Sequence, residues 1–360
     1  MNDYLLYEAL ETAHRVTTVG TYAAALYDYF SFLEAHGLAW DEIPPLGSIV
    51  PTHLARYRDW SADLRDTFGE PRLKPRTINL YLRACGRFYA WAGRTGRISV
   101  VPQAVRTRFD STRSTGPTPT ARRELLLNTG KARFTVLSTT EIGNFMLALS
   151  DEQEHAMAAI AFDTGLRRIE IQSFPEALVF DPISRGLSPA KRIPILIEPM
   201  GIGAADEPIM ATKNGRERRV TMSFEVMRLL FEFRAFGQRV PREKAYYARY
   251  NAHPRRLFLS PQGKPLSQRY LNKVFERGSK RSGVRVHPHK ARHAFATHYL
   301  HHRSKLIPLG QAALELKELL GHGSLSSTQV YIDALHELTT AEFDRHNEMI
   351  DALIGREKRK

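Results

Sequence analysis

The chain has 360 residues, room for two domains of ordinary size, and its 42% hydrophobic and 10% aromatic content is that of a globular protein with substantial cores. No run of 18 or more apolar residues is present to span a bilayer, and the first thirty residues lack the basic start, apolar stretch and cleavage site of a signal peptide, so a cytoplasmic location is expected. Fifty-two Lys and Arg against 38 Asp and Glu leave a net charge of +14, which predicts a polyanionic partner; nucleic acid is favoured over a membrane surface because the basic residues are scattered and not gathered on one amphipathic helix.

Along the chain, Tyr22, Leu26, Phe30 and Leu33 recur at helical spacing and Gly37 stands where a helix would stop, predicting a helix over 18–37. Two more amphipathic helices are predicted over 52–64 and 77–92. In the latter, Ile78, Leu82, Cys85 and Tyr89 form one stripe and leave Arg83 and Arg87 on other faces. Cys85 is the single cysteine, so it forms no internal disulfide and is assigned to buried packing. Residues 1–105 therefore read as an all-helical domain. Periodicity is then lost in PQAVRTRFDSTRSTGPTPTARR, where Arg106, Arg108, Arg113, Arg122 and Arg123 face a single aspartate, and 106–132 reads as a basic linker. A solvated loop and a tether along a phosphate backbone fit that composition equally well.

A second domain is expected over 133–335. Ser138 and Glu141 have the spacing of a capping box before IGNFMLAL, predicting a helix start. Between 175 and 222, short apolar runs such as RIPILIEPM and RRVTM, separated by Pro, Gly and Asn, predict strands and a hairpin. Helical periodicity returns from Ser223 and again after Leu266. The tail, 336–360, holds an amphipathic stretch over 341–354 followed by REKRK. There is no internal repeat.

Three segments stand out chemically. In DTGLRRIEI, Asp163, Thr164 and Gly165 read as a turn and cap, which puts Arg167 and Arg168 in the opening turn of a helix, where cations are disfavoured unless an anion binds there. A surface arginine pair is the alternative. In HPHKARHAF, His289 and Arg292 are three apart and share a helix face, so the two together could grip one anion. His287, His289, His293, His298, His301 and His302 crowd this stretch, but no carboxylate or thiolate sits at ligand spacing and Arg292 would lie among the ligands, so no metal is assigned. In LLGHGSLSSTQVY, Gly321, Gly323 and Ser324 predict a break that brings His322 and Tyr331 into one site, with Ser326 or Ser327 capping a short helix that presents the tyrosine.

Two arginines, two histidines and a late tyrosine in a basic chain are what phosphodiester transfer without a metal requires. The ordered set TGLRRIE, KNGRERRV, HKARH and LGHGSLSSTQVY resembles the tyrosine recombinase (phage integrase) family over about 138–335, and TINLYLRACGRFYAWA is similar to that family's core-binding domain. The resemblance implies a mainly α fold with a small β-sheet: a helical core-binding domain plus an α+β catalytic domain. It implies that Tyr331 is the nucleophile, leaving a 3′-phosphotyrosyl bond and a free 5′-hydroxyl, and that Arg167 and Arg292 clamp the non-bridging oxygens, a task suited to guanidinium forks. An ordinary tyrosine, with a pKa near 10, needs help at neutral pH. The family places His289 in that proton transfer, His322 on the phosphate, Lys213 on the departing 5′-oxygen and Glu170 beside the first arginine, orienting the cations. DNA contacts are expected from Arg83, Arg87 and the five linker arginines. No cofactor is implied.

The implied partners are double-stranded recombination sites and further copies of the chain, four on two paired sites, with the tail docking on a neighbour. The expected outcome is integration, excision or transposition of a mobile element. A chromosome-dimer resolvase, a type IB topoisomerase-like enzyme and a catalytically silent DNA-binding protein are the alternatives. Two departures from compact family members are a longer interval from Arg167 to Lys213 and a somewhat extended 298–317.

Overall fold

In a computed structural model, which describes residues 1–12, 16–44, 50–99, 101, 125–129, 136–212 and 215–335, the chain divides into two units, Met1–Arg133 and Phe134–Lys360. The tail 336–360, the stretch 102–124 with its five arginines, and Lys213 lie outside the described residues.

In the first unit, α1 (Asn2–Leu10), α2 (Val16–Ala35), α3 (His53–Asp63) and α4 (Pro75–Arg94) enclose a core rich in aromatic rings. The helix α1 is not anticipated by the sequence, because it buries only Tyr4 and Glu8 and so shows no full stripe. Thr52 caps α3 by accepting the Ala55 amide at 3.3 Å, and Pro75 opens α4, where its missing N–H costs nothing. Cys85 is fully buried in this core. Arg83 is exposed on α4, whereas Arg87, one turn on, lies 3.7 Å from Glu8 and over the ring of Tyr22.

Residues 125–129, assigned by sequence to the linker, belong to the first unit. Leu125 is buried in its core, and the Asn79 side chain holds Leu127 at both backbone atoms, donating to its carbonyl at 2.9 Å and accepting its amide at 2.8 Å. This anchor was illegible because it depends on an amide side chain 48 residues away.

In the second unit, α5 (Thr139–Leu147) starts with the capping box expected of Ser138 and Glu141. The alanine-rich α6 (Glu152–Thr164) is buried on every side and forms the centre of the unit, with α7 (Arg168–Gln172) following it. The strand region is shorter than the sequence suggests. Residues 175–192 form a single 3-10 turn (Glu176–Leu178) and other turns, since Pro175, Pro182 and Pro189 interrupt any ladder. Two nested antiparallel pairs then follow: β1 (Ile193–Ile197) with β4 (Arg218–Met222), and between them β2 (Met200–Ile202) with β3 (Pro208–Met210).

The helical stretch after 223 is two helices, α8 (Phe224–Ala235) and α9 (Arg239–Tyr250), because the Glu152 carboxylate accepts the Gln238 amide at 2.8 Å beside Gly237, where a Cβ would collide with it. Arg239, 1% exposed, bonds Glu176 and Glu243 at 2.5 Å each and so ties the inserted 3-10 turn to α9. Then come α10 (Tyr270–Ser282), α11 (Pro288–Ser304), α12 (Leu309–Leu320) and α13 (Ser326–Leu335). Among the described residues, no helix is long and apolar enough to cross a membrane.

Candidate active site

The segment DTGLRRIEI does not open a helix in the way its sequence suggests. Asp163 and Thr164 end α6, and Gly165 caps it in the left-handed conformation at φ 61°. A Cβ on Gly165 would stand 2.3 Å from Phe295, so glycine is required here for space as well as for backbone angle. Arg167 is then extended and precedes α7 as its cap residue. Its amide donates to Glu170 Oε2 at 2.7 Å, so the anion at this helix start is the protein's own carboxylate and not a vacancy for phosphate.

Glu170 is fully buried. Arg218 on β4 forks onto it, Nη1 to Oε1 at 2.8 Å and Nη2 to Oε2 at 2.6 Å, while Arg167 Nη1 reaches Oε1 at 3.3 Å. Burial alone would raise the carboxyl's pKa, but the Arg218 bonds and charge, with the Arg167 amide, outweigh it and hold the group below its ordinary range.

On α11, His287 accepts the Lys290 amide at 3.0 Å as the helix cap, and Arg292 points into the protein at 3% exposure. Arg292 donates to the carbonyls of Gly165 at 2.6 Å and Leu320 at 2.5 Å. Burial, reinforced by the nearby Arg167 charge, lowers its pKa to about 9, which leaves it cationic at neutral pH.

The helix α12 ends on Gly321, left-handed at φ 61°. Its last carbonyls lack partners within the helix and carry the negative end of the helix dipole. Three consecutive ones each receive a different arginine: Leu319 from Arg218 Nε at 3.0 Å, Leu320 from Arg292 Nη2, and Gly321 from Arg167 Nη2 at 2.8 Å. The chain turns at His322 and Gly323, and α13 brings Tyr331 back so that its ring lies nearly parallel to His322, centroids 6.1 Å apart. The break predicted between these two residues is present. Ser327, in the first turn of α13, lies with its Oγ 3.2 Å from Ser324, and the Ser326 side chain lies outside the described residues.

Tyr331 is 2% exposed, and its hydroxyl is hydrogen-bonded to His293 Nδ1 at 2.9 Å. Burial raises the phenol's pKa against the opposing pull of the Arg292 and Arg167 charges. Burial, then the neighbouring His289 and Arg292, lower His293 to about 3, so it is neutral at pH 7. His289 itself is exposed, its ring centroid 4.1 Å from that of His293. His322 Nδ1 lies 3.1 Å from Thr328 Oγ1.

The structure thus brings Arg167, Glu170, Arg292, His322 and Tyr331 together, with His289 at the edge behind His293. A cavity of about 650 Å³ opens beside them, lined by Arg167, Arg218, Gly321 and His322 together with Arg216, Arg219 and Lys317. Sequence reasoning missed Arg218 and His293. Nothing local separates Arg218 from Arg216 and Arg219, and His293 was read only as part of a histidine-rich run.

Residues 197–337 match the Phage integrase family. Over that stretch the chain resembles this family and the tyrosine recombinases. The matched stretch contains Arg218, His289, Arg292, His322 and Tyr331; Arg167 and Glu170 precede it and join it through Gly321 and Arg218. Tyrosine recombinase XerC of Ralstonia pickettii is 40% identical over 106 residues, 29% of this chain and 28% of that protein. Tyrosine recombinase XerC of Haemophilus ducreyi is 36% identical over 113 residues, 31% of this chain and 33% of that one. The chain thus spans about a third or less of these curated relatives.

In fold, the chain is similar to the XerH site-specific recombinase bound to its palindromic difH substrate (TM-score 0.57, 18% identity, 89% of this chain and 77% of that one). It is equally similar to a lambda integrase dimer bound to a core site (TM-score 0.56, 16% identity, 92% and 93%).

Proposed function

We propose that this protein is a site-specific DNA recombinase that breaks and rejoins DNA strands through a tyrosine-linked intermediate, with no metal or nucleotide cofactor. The observation that carries this reading is the convergence of Arg167 and Arg292 on adjacent carbonyls at the end of α12, next to Tyr331 on α13. The Arg167 guanidinium, which lines the cavity, and that of Arg292 behind it would take the non-bridging oxygens of a scissile phosphate and stabilise the charge that grows in the transition state. Tyr331 Oη attacks phosphorus, the bond to the 5′-oxygen breaks, and Lys213 supplies the proton to that oxygen. His322 bonds the phosphate and His289 assists the removal of the phenolic proton. The phosphotyrosyl bond conserves the energy of the broken phosphodiester, so a 5′-hydroxyl from another strand can reverse the step.

The substrate is double-stranded DNA carrying recombination sites, clamped between the helical unit Met1–Arg133 and the catalytic unit Phe134–Lys360, with the protein acting in the nucleoid. Arg83 and the arginines at 106, 108, 113, 122 and 123 contact backbone phosphates. The active assembly is a tetramer on two paired sites, with the tail 336–360 of each copy docked on its neighbour. Movement of a mobile element is the favoured outcome. Chromosome-dimer resolution is a second reading, supported by the similarity to XerC proteins.

The test uses purified protein and its Tyr331→Phe variant on nicked DNA from the regions flanking its own gene, quenched with detergent in EDTA. Protease-sensitive protein–DNA adducts from the wild type alone are expected. Equal adducts from the variant would overturn the choice of nucleophile. Binding without adducts by both would favour a silent DNA-binding protein, and relaxation of any supercoiled plasmid would favour a topoisomerase-like activity.

A further inference from the structure

Resting on that reading of the site, we infer that Arg218 is a positioning residue for the phosphate clamp. It saturates Glu170 so that Arg167 keeps its guanidinium on Gly321 and its charge for the substrate. Glu170 has no solvent exposure and two cationic neighbours, of which Arg218 makes the two short bonds and Arg167 one long one at 3.3 Å. A bidentate arginine–carboxylate pair is the stronger arrangement, and a buried carboxylate takes it from whichever guanidinium is in reach. With Arg218 in place, Glu170 and Arg218 neutralise each other, and Arg167 Nη2 stays on the Gly321 carbonyl. Without it, Arg167 is the cation left beside Glu170 and would fork onto the carboxylate, leaving Gly321 and the cavity.

The third bond of Arg218 supports the same role. Its Nε holds the Leu319 carbonyl at 3.0 Å, directly before the two carbonyls that receive Arg292 and Arg167. One side chain, 8% exposed, therefore joins β4, α7 and the end of α12, and it passes so close to Gly321 that a Cβ there would meet Arg218 Cδ at 3.0 Å. A lysine cannot replace it, because a single ammonium lacks the fork for Glu170 and the third donor for Leu319.

The experiment compares single-turnover adduct formation and DNA affinity in the full chain for wild type, Arg218→Met, Arg218→Lys and the double variant Glu170→Gln/Arg218→Met. Arg218→Met is expected to lose about a hundredfold in adduct rate with DNA affinity within about threefold, and Arg218→Lys to recover little of it. The double variant is expected to regain about tenfold over Arg218→Met, since its neutral amide no longer competes for Arg167, a recovery that a merely structural role would not produce. In crystals of Arg218→Met, Arg167 should lie on Glu170 and off Gly321; if that variant does not fold, the double variant should keep Arg167 on Gly321.

Wild-type rates in Arg218→Met, a double variant as slow as the single one, or Arg167 still on Gly321 in Arg218→Met would each overturn the inference. The crystallographic result is independent of cleavage, so a wild type that forms no adducts counts against the proposed reaction and leaves the placement of Arg167 to decide this point.

Discussion

The hydroxyl of Tyr331 is hydrogen-bonded to Nδ1 of His293 at 2.9 Å, one residue beyond Arg292 on α11. Because burial and the surrounding cations keep His293 neutral, the proton stays on the phenol in the DNA-free protein. A buried hydroxyl that loses a hydrogen bond costs roughly 1–3 kcal/mol. His293→Phe should therefore slow adduct formation about tenfold, and His293→Gln, which can still hydrogen-bond, should fall between it and the wild type. Rapid-quench measurement of the adduct rate tests this, and a Phe variant as fast as wild type would contradict it.

Gly321 sits where α12 must end, and glycine is required there twice over. Its left-handed backbone costs an ordinary residue roughly 1–2 kcal/mol, and a Cβ would crowd Arg218 Cδ at 3.0 Å and Arg167 Nη1 at 3.4 Å. Gly321→Ala is expected to lower the melting temperature by roughly 2–6 °C and to reduce cleavage with it. Gly310→Ala, in the same helix with open space around it, should be neutral or stabilising. Calorimetry of the two variants side by side checks the contrast.

Arg83 and Arg87 are one turn apart on α4 and should behave differently. Arg83 is exposed, so Arg83→Ala should weaken DNA binding and reduce the slope of log affinity against log salt by about one, with stability unchanged. Arg87 is held by Glu8 and Tyr22, so Arg87→Ala should lower stability and alter the salt slope less. Fluorescence anisotropy across a salt series, with a thermal melt of each variant, separates the two.

His298 is 2% exposed and donates to the Leu137 carbonyl at 3.3 Å; burial lowers its pKa from 6.5 to about 4. Between those values the unfolded chain binds a proton that the folded chain refuses, so stability is fully present above pH 6.5 and is lost as pH falls towards 4. His298→Gln keeps a donor and removes this titration. Its melting temperature should fall less steeply than that of wild type between pH 6.5 and 4.5. Identical slopes would show that His298 does not titrate on unfolding.

The helices with full apolar stripes could be read from sequence because periodicity is local: α2, α3 and α4 lie close to the spans predicted for them, and the capping box at Ser138 starts α5 as its spacing requires. Where burial is one-sided and brief, as in α1, or where prolines replace a ladder, as in 175–192, the pattern is too short or too interrupted to read.

By itself the sequence determined the residue types of the site and the two places where the chain turns, since glycine at 165 and 321 answers a local demand for left-handed backbone. Tertiary structure alone decided which of several arginines join them. Arg218, Arg167 and Arg292 come from three distant segments, and they meet because a helix end offers three unpartnered carbonyls in a row and a buried carboxylate demands a fork. The choice of His293 over His289 as the neighbour of Tyr331 is of the same kind. It depends on which way α11 faces once Arg292 is buried, and that orientation is set by Gly165 and Leu137, 127 and 161 residues from the side chains that hold them.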